Sequence, residues 1–290
     1  MRIGFVGTGV MGKSMAGRLM AAGHPLGVYT RTKSKAADLL ATGAEWYASP
    51  GALAGDSDIV FTIVGFPADV EEVYFGENGI VPNARPGCIF VDMTTSRPDL
   101  AKKIHAGAAE QRCFALDAPV SGGDTGAKNG TLSIMVGGDR DVYDRVLPLF
   151  ELMGRNIVYQ GEAGSGQHCK MCNQITIASN MVGVCEALAY AKKSGLDPFT
   201  VLKSISAGAA GSWTLSNLAP RILEGDFEPG FFVKHFIKDM GIAFEAAQSM
   251  GIGTPGLELA LNLYRELAGT GFENDGTQGL FRLFDSKGEE

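Results

Sequence analysis

The sequence predicts an α/β domain, doubly wound around a parallel sheet, followed by an all-helical domain. Three observations carry that prediction. Short apolar runs alternate with segments of helical spacing over the first half of the chain. The first run, RIGFV (2–6), passes through the glycine turn GTGVMG (7–12) directly into an amphipathic stretch. Beyond Gly161 the strand-like runs stop and only helical patterns remain.

The strands are expected at 2–6, 26–30 (LGVYT), 58–64 (DIVFTIV), 88–93 (CIFVDM), 113–118 (CFALDA), 132–137 (LSIMVG) and 156–160 (NIVYQ). Helical spacing fills most of the intervals, at 33–42, 68–75, 98–110 and 140–153. Strands and helices alternating at this length build a mainly parallel sheet covered on both faces. Their near-continuous apolar character agrees, because a parallel sheet is buried on both sides. From Gln167 to Ser194 the chain is apolar on nearly every face and shows no strong turn signal, which predicts one long buried helix. Further helices are expected at 198–206, 215–223, 233–250 and 255–267. The expected division is residues 1–163 for the α/β domain and 164–290 for the all-helical C-terminal domain, joined by the long helix.

Composition excludes several classes of protein. Of 290 residues, 45% are hydrophobic and 20% charged, the balance of a globular protein in water. The 40 glycines gather at strand ends, as turns require. A net charge of −7 with no basic tract leaves nothing to displace phosphate counterions, so no nucleic-acid partner is expected. No apolar run approaches the roughly 20 residues that span a bilayer, so no membrane partner is expected. With the first strand expected from Arg2, no leader is expected, and five cysteines in so long a chain make no disulfide framework. A cytoplasmic location is expected.

Gly7, Thr8, Gly9, Val10, Met11 and Gly12 fit the pattern G-x-G-x-x-G between a strand and a helix. A plain glycine-rich turn gives the same letters. In a strand-turn-helix setting, however, Gly7 permits the tight turn, Gly9 admits a pyrophosphate and Gly12 lets helix and strand pack closely. The helix N-terminus offers the phosphates unpaired N–H groups. The setting identifies a Rossmann-type doubly wound domain that binds a dinucleotide. Many NAD-binding chains place an acid on the ribose about 20 residues further on. This chain has none there; Arg31, Thr32 and Lys35 stand instead. A guanidinium, a hydroxyl and an ammonium suit a 2′-phosphate, so NADP(H) is expected in preference to NAD(H). The bland alternative is a solvated basic helix start.

Lys170 and Asn173 lie three apart on the long helix, on one face, and Asn180 follows two turns later. A charged lysine among Met171, Cys172, Ile175 and Ile177 is costly unless paired or functional. A salt bridge to Glu186 or to another acid is the structural alternative; a site lysine tuned for proton transfer is the functional one. Cys169 and Cys172 form a C-x-x-C, but zinc requires a second ligand pair and none is present, so no metal is expected.

Together these features resemble the β-hydroxyacid dehydrogenase family from Arg2 to about Leu283. The likeness rests on GFVGTGVMG (4–12), DMTTSRP (92–98), DAPVSGG (117–123), the G-x-G-x-x-x-K-x-x-N run (164–173) and FIKDMGIA (236–243). The resemblance implies that Gly7 to Gly12 hold the cofactor phosphates, with Arg31 and Thr32 at the adenosine end. It implies that Val64, Phe66 and Pro67 line the cofactor cleft, and that Thr95 and Lys238 contact the cofactor. Ser121, Gly122 and Gly123 are implied to bind a substrate carboxylate, Lys170 to be the catalytic lysine, and Asn173, with Asn180 beyond it, to face the substrate. Homodimers or homotetramers formed through the helical domain are implied as well. The Arg31-Thr32 pair resembles the NADPH-preferring reductases of the family more than its NAD-linked hydroxyisobutyrate enzymes. One departure is Asp275-Gly-Thr-Gln, where relatives often carry a serine two places after the aspartate.

The expected reaction is reduction of a small carboxylate-bearing aldehyde acid, such as glyoxylate or succinic semialdehyde, to the hydroxy acid. Lys170 is the expected general acid/base, with Asn173 and Ser121 completing the catalytic set. The alternatives are an NAD-dependent 3-hydroxyisobutyrate dehydrogenase, a tartronate semialdehyde reductase, and a non-catalytic cofactor-binding scaffold.

Overall fold

β1 (Ile3–Val6) lies between β2 (Leu26–Tyr29) and β4 (Ile59–Thr62), parallel to both. In the computed structural model, which describes residues 1–286, β3 (Glu45–Trp46) extends the sheet beyond β2. On the other side β5 (Ile89–Asp92) and β6 (Phe114–Asp117) extend it beyond β4, again in parallel. The spatial order is therefore 3-2-1-4-5-6. The chain reverses its direction of travel across the sheet at β1, so a crevice opens at the carboxyl ends of β1 and β4. Doubly wound sheets bind their ligands there.

Three further strands complete this sheet: β7 (Val120–Ser121), β8 (Leu132–Gly138) and β9 (Gly154–Gly161). β8 runs antiparallel to β6 and β7, and β9 runs parallel to β8. The strand expected at 113–118 thus continues to Ser121 by changing neighbours. Ala118 N–H still donates to Asp92 O on the β5 side (2.7 Å), whereas Pro119 O accepts Met135 N–H on the β8 side (3.0 Å). Pro119 sits at the changeover, where it has no N–H to leave unpaired.

Side-chain alternation splits the interior into two layers. Phe5, Phe61 and Val91 pack on one face with Met15, Leu19 and Phe150, while Val6, Val60 and Phe90 pack on the other with Leu53, Tyr74 and Ile104. Each such buried side chain contributes roughly 1.5–3 kcal/mol. Proline opens the flanking helices Pro50–Gly55, Pro67–Phe75 and Pro98–Glu110, where its missing N–H costs nothing. The first helix, Val10–Ala21, follows the glycine turn as expected.

The chain divides into two compact units, Met1–Lys170 and the remainder from Met171. The long helix, Ser165–Lys193, starts in the first and continues into the second. No strand occurs among the described residues of the second unit. Its other main helices are Pro198–Ile205, Val233–Ser249 and Pro255–Leu267. The helix expected at 215–223 is two short ones, Trp213–Asn217 and Ala219–Leu223, because Pro220 must open a new helix. Phe236 and Tyr264 meet edge to face in this unit's core, ring centres 5.0 Å apart, and the buried Tyr264 hydroxyl donates to Thr277 O at 2.7 Å.

Candidate active site

The turn from β1 into the first helix is shaped for close approach. Gly7 has φ +94°, and a Cβ there would overlap the Ile63 carbonyl oxygen; a Cβ on Gly12 would overlap the Gly7 carbonyl. A Cβ on Gly9 would meet nothing within 4 Å, so space stands open beside that backbone. Thr8 is buried and its hydroxyl oxygen has no protein partner. Val10 is exposed, Met11 half-buried, and the first helical turn carries no acid. An orphan hydroxyl, an open glycine and a helix N-terminus without repelling charge fit a pyrophosphate.

At the far end of β2, Arg31, Thr32 and Lys35 are all exposed, with Thr32 and Lys35 joined by a turn, Lys35 N–H to Thr32 O at 2.9 Å. Arg31 is anchored from outside its own segment: its Nη1 lies 2.9 Å from Asp69 Oδ1. Asp69 sits in the first turn of Pro67–Phe75, where its Oδ2 accepts the Phe66 N–H at 3.0 Å. Arg31 thus has an acidic partner on a separate helix, a residue the sequence reading did not single out. Phe66 is exposed and Pro67 half-buried beside it.

The loop after β5 is built on Asp92, whose Oδ1 accepts Thr94 N–H (3.0 Å), and on Thr94, whose hydroxyl oxygen accepts Val64 N–H (3.0 Å). Half-buried Thr95 follows. Gln167, from the start of the long helix, holds both sides of it. Its Oε1 accepts Ser96 N–H at 2.9 Å, and its Nε2 donates to Thr94 O at 2.7 Å. Asp117, at the end of β6, accepts Gly164 N–H (2.7 Å) and Gln167 N–H (2.8 Å). Burial pushes its carboxyl up from the usual range, against the downward pull of those N–H groups. Neither Gln167 nor Asp117 was marked as a site residue from sequence. Their letters are ordinary, and their partners lie far away along the chain.

Lys170 is 5% exposed, one turn after Gln167. The continuous helix excludes the Glu186 alternative: sixteen residues at 1.5 Å each is about 24 Å. Within the same unit, half-buried Ser121 pairs with Ser133 of β8, and Gly122 and Gly123 follow with φ of +130° and +63°. Such angles strain any residue with a side chain, and they swing the backbone directly into the short helix Gly123–Asn129.

The second unit holds a polar chain of its own. Asn173 Nδ2 donates to Gln174 Oε1 (2.7 Å), and Gln174 Nε2 donates to Asp239 Oδ2 (2.6 Å). Lys238 Nζ lies 2.8 Å from Asp239 Oδ1. Gln174 and Asp239 are fully or almost fully buried, so Asn173 and Lys238 are tied to one another through them. Asn180, half-buried, stands two turns after Asn173 on the same helix.

Two family models match the chain. The NAD-binding domain of 6-phosphogluconate dehydrogenase matches residues 2–161, and the NAD-binding domain of NADP-dependent 3-hydroxyisobutyrate dehydrogenase matches residues 164–284. An uncharacterised oxidoreductase of Bacillus subtilis, YkwC, is 62% identical over 282 residues, covering 97% of this chain and 98% of its own. The 2-hydroxy-3-oxopropionate reductase of Escherichia coli is 41% identical, covering 93% of this chain and 92% of its own. The structure of Mycobacterium tuberculosis 3-hydroxyisobutyrate dehydrogenase with L-serine superposes with a TM-score of 0.89 at 29% identity, covering 98% of this chain and 99% of that one. The fold and the dinucleotide turn define a pyridine-nucleotide oxidoreductase. The chain belongs to the β-hydroxyacid dehydrogenase family, NAD(P)-dependent oxidoreductases that act on a CH–OH group. Among the described residues, no helix is long and apolar enough to cross a membrane.

Proposed function

We propose that the protein is an NADPH-dependent reductase of small carboxylate-bearing aldehyde acids, glyoxylate and succinic semialdehyde among them, with Lys170 as general acid/base. The observation that carries this reading is the burial of Lys170, 5% exposed, one turn after a residue bonded on both sides of Thr95. When bound, the reduced nicotinamide supplies hydride to the carbonyl carbon. Negative charge then grows on the carbonyl oxygen. Lys170 as an ammonium stabilises that charge and donates the proton from Nζ; as an amine it accepts the proton in the reverse direction. The backbone N–H groups of Ser121 to Gly123 and the Ser121 hydroxyl hold the substrate carboxylate. Asn173 orients the substrate, Asn180 extends the same face, and Thr95, Val64, Phe66, Pro67 and Lys238 contact the cofactor. Residues 1–163 serve as the cofactor domain and 164–290 as the substrate and oligomerisation domain of a cytoplasmic homodimer or homotetramer.

A second reading, NAD-linked oxidation of 3-hydroxyisobutyrate, has one observation in its favour: the Asp69 carboxylate offsets the charge of Arg31. The deciding experiment is a kcat/KM comparison of glyoxylate, succinic semialdehyde, tartronate semialdehyde and methylmalonate semialdehyde with both cofactors, on the wild type and Lys170→Ala. The expected result is faster turnover with NADPH, and a kcat loss of about 10²–10⁴-fold in Lys170→Ala with cofactor affinity retained. An active Lys170→Ala enzyme would refute the lysine's role; faster turnover with NADH would favour the second reading.

A further inference from the structure

Two buried side chains fix the first turn of the long helix, and the chemistry proposed above uses neither. Gln167 is wholly buried, and both ends of its amide are engaged, Oε1 by Ser96 N–H and Nε2 by Thr94 O. These two contacts flank Thr95 on either side. Asp117 grips the same turn from below through Gly164 N–H and Gln167 N–H. The fit leaves no slack: a Cβ on Gly166 would stand 2.6 Å from Asp117 O, and one on Gly137 2.6 Å from Asp117 Oδ1. Lys170 is three residues beyond Gln167 and therefore on the same side of the helix.

We propose that Gln167, braced by Asp117, is a positioning residue that sets the Lys170 amine against the loop carrying Thr95. The inference rests on the reading of Lys170 as the proton donor. A planar amide with one donor and one acceptor engaged cannot rotate without leaving a buried partner unmet, so it holds a single orientation. The loop after β5 and the first turn of the lysine helix accordingly move as one body. A shift of one relative to the other would lengthen the path between Lys170 and the reacting carbonyl, and a misplacement near 1 Å costs about 10²-fold in rate.

The test is a double-mutant cycle between Gln167→Met and Lys170→Ala. Methionine keeps the length of glutamine but can make neither bond. The substrate is whichever aldehyde acid the wild type reduces fastest, so that the transferred hydride comes from the reduced cofactor. Gln167→Met should lower kcat about 10–100-fold, leave the KM for the nicotinamide cofactor within about twofold, and enlarge the isotope effect from 4-deuterated cofactor. Placed on Lys170→Ala, it should add less than about twofold, since a residue acting through the lysine has nothing left to position. Gln167→Asn, one methylene too short to reach both partners, should repeat the pattern and serves if the methionine variant fails to fold. Cofactor titration of each variant reports an intact first unit.

Full kcat in a folded Gln167→Met or Gln167→Asn enzyme overturns the inference. Losses that multiply with Lys170→Ala also overturn it, while leaving the lysine's own role standing. Full activity in Lys170→Ala alone removes both.

Discussion

Arg31 and Asp69 form an ion pair, Nη1 to Oδ1 at 2.9 Å, that joins the end of β2 to the first turn of Pro67–Phe75. The guanidinium is 77% exposed, so the pair adds little to stability, but it fixes which way the arginine's remaining donors face. Arg31→Asp should weaken NADPH binding by about 10–100-fold, the size of a lost charge-assisted contact, with NADH changed only a few-fold. Fluorescence titration with both cofactors checks this, and equal losses would refute a 2′-phosphate role. Asp69→Asn should shift preference further towards NADPH at low salt, and the shift should shrink as salt screens the unmasked charge.

Gly7→Ala and Gly9→Ala should separate folding from binding. Alanine at Gly7 must hold a positive φ, which costs roughly 1–2 kcal/mol, and must also displace the Ile63 carbonyl. A lowered thermal midpoint is expected. Alanine at Gly9 meets no protein atom within 4 Å, so its thermal midpoint should match the wild type. Its cofactor affinity should fall about tenfold or more, because the methyl group enters the pyrophosphate's space.

Asp58 gives a pH-dependent contribution to stability. Its carboxyl is held below the usual range, first by the Arg2 N–H (2.7 Å), against desolvation, and further by the Arg85 guanidinium. A depressed folded-state value means stability that is full above the ordinary carboxylate range and lost as pH falls through the folded value. Asp58→Asn should therefore lower stability at neutral pH by about 0.5–1 kcal/mol, a modest figure because the group is half exposed. The difference between variant and wild type should vanish in acid. Thermal midpoints measured from pH 7 down to pH 3 test it.

Tyr264→Phe removes a single buried bond in the second unit. The Thr277 carbonyl oxygen loses its 2.7 Å donor, and the expected cost is about 1–2 kcal/mol with the ring packing on Phe236 retained. Denaturant unfolding followed by near-ultraviolet dichroism measures it.

The parts of the site legible in the sequence are those whose demands are local. Gly7, Gly9 and Gly12 read correctly as a strand-turn-helix because their spacing is written in six consecutive letters, although the Ile63 carbonyl that crowds Gly7 comes from a distant strand end. Lys170 could be singled out because a charge stands out in an apolar helix. Asp69, Asp117 and Gln167 could not, since their partners are brought to them only by the sheet. Gln167 reaches across 71 and 73 residues to Ser96 and Thr94, and Asp117 across 47 and 50 to Gly164 and Gln167. The same holds for DAPVSGG. The strand is expected to end at 118, and that it carries on to Ser121 depends on β8 lying alongside.

The long helix sets an angular rule for this chain. Over 29 residues, about 44 Å of rod, no break resets the rotation from one residue to the next. The bearing of Asn173 and Asn180 relative to Lys170 is therefore counted out in residues. Deleting Met171 or Cys172 would turn Asn173 and Asn180 by about 100° around the helix axis while leaving both asparagines in the sequence. Substitutions along this helix can be absorbed one contact at a time. Insertions and deletions cannot, and descendants of this chain should vary here in letters but not in length.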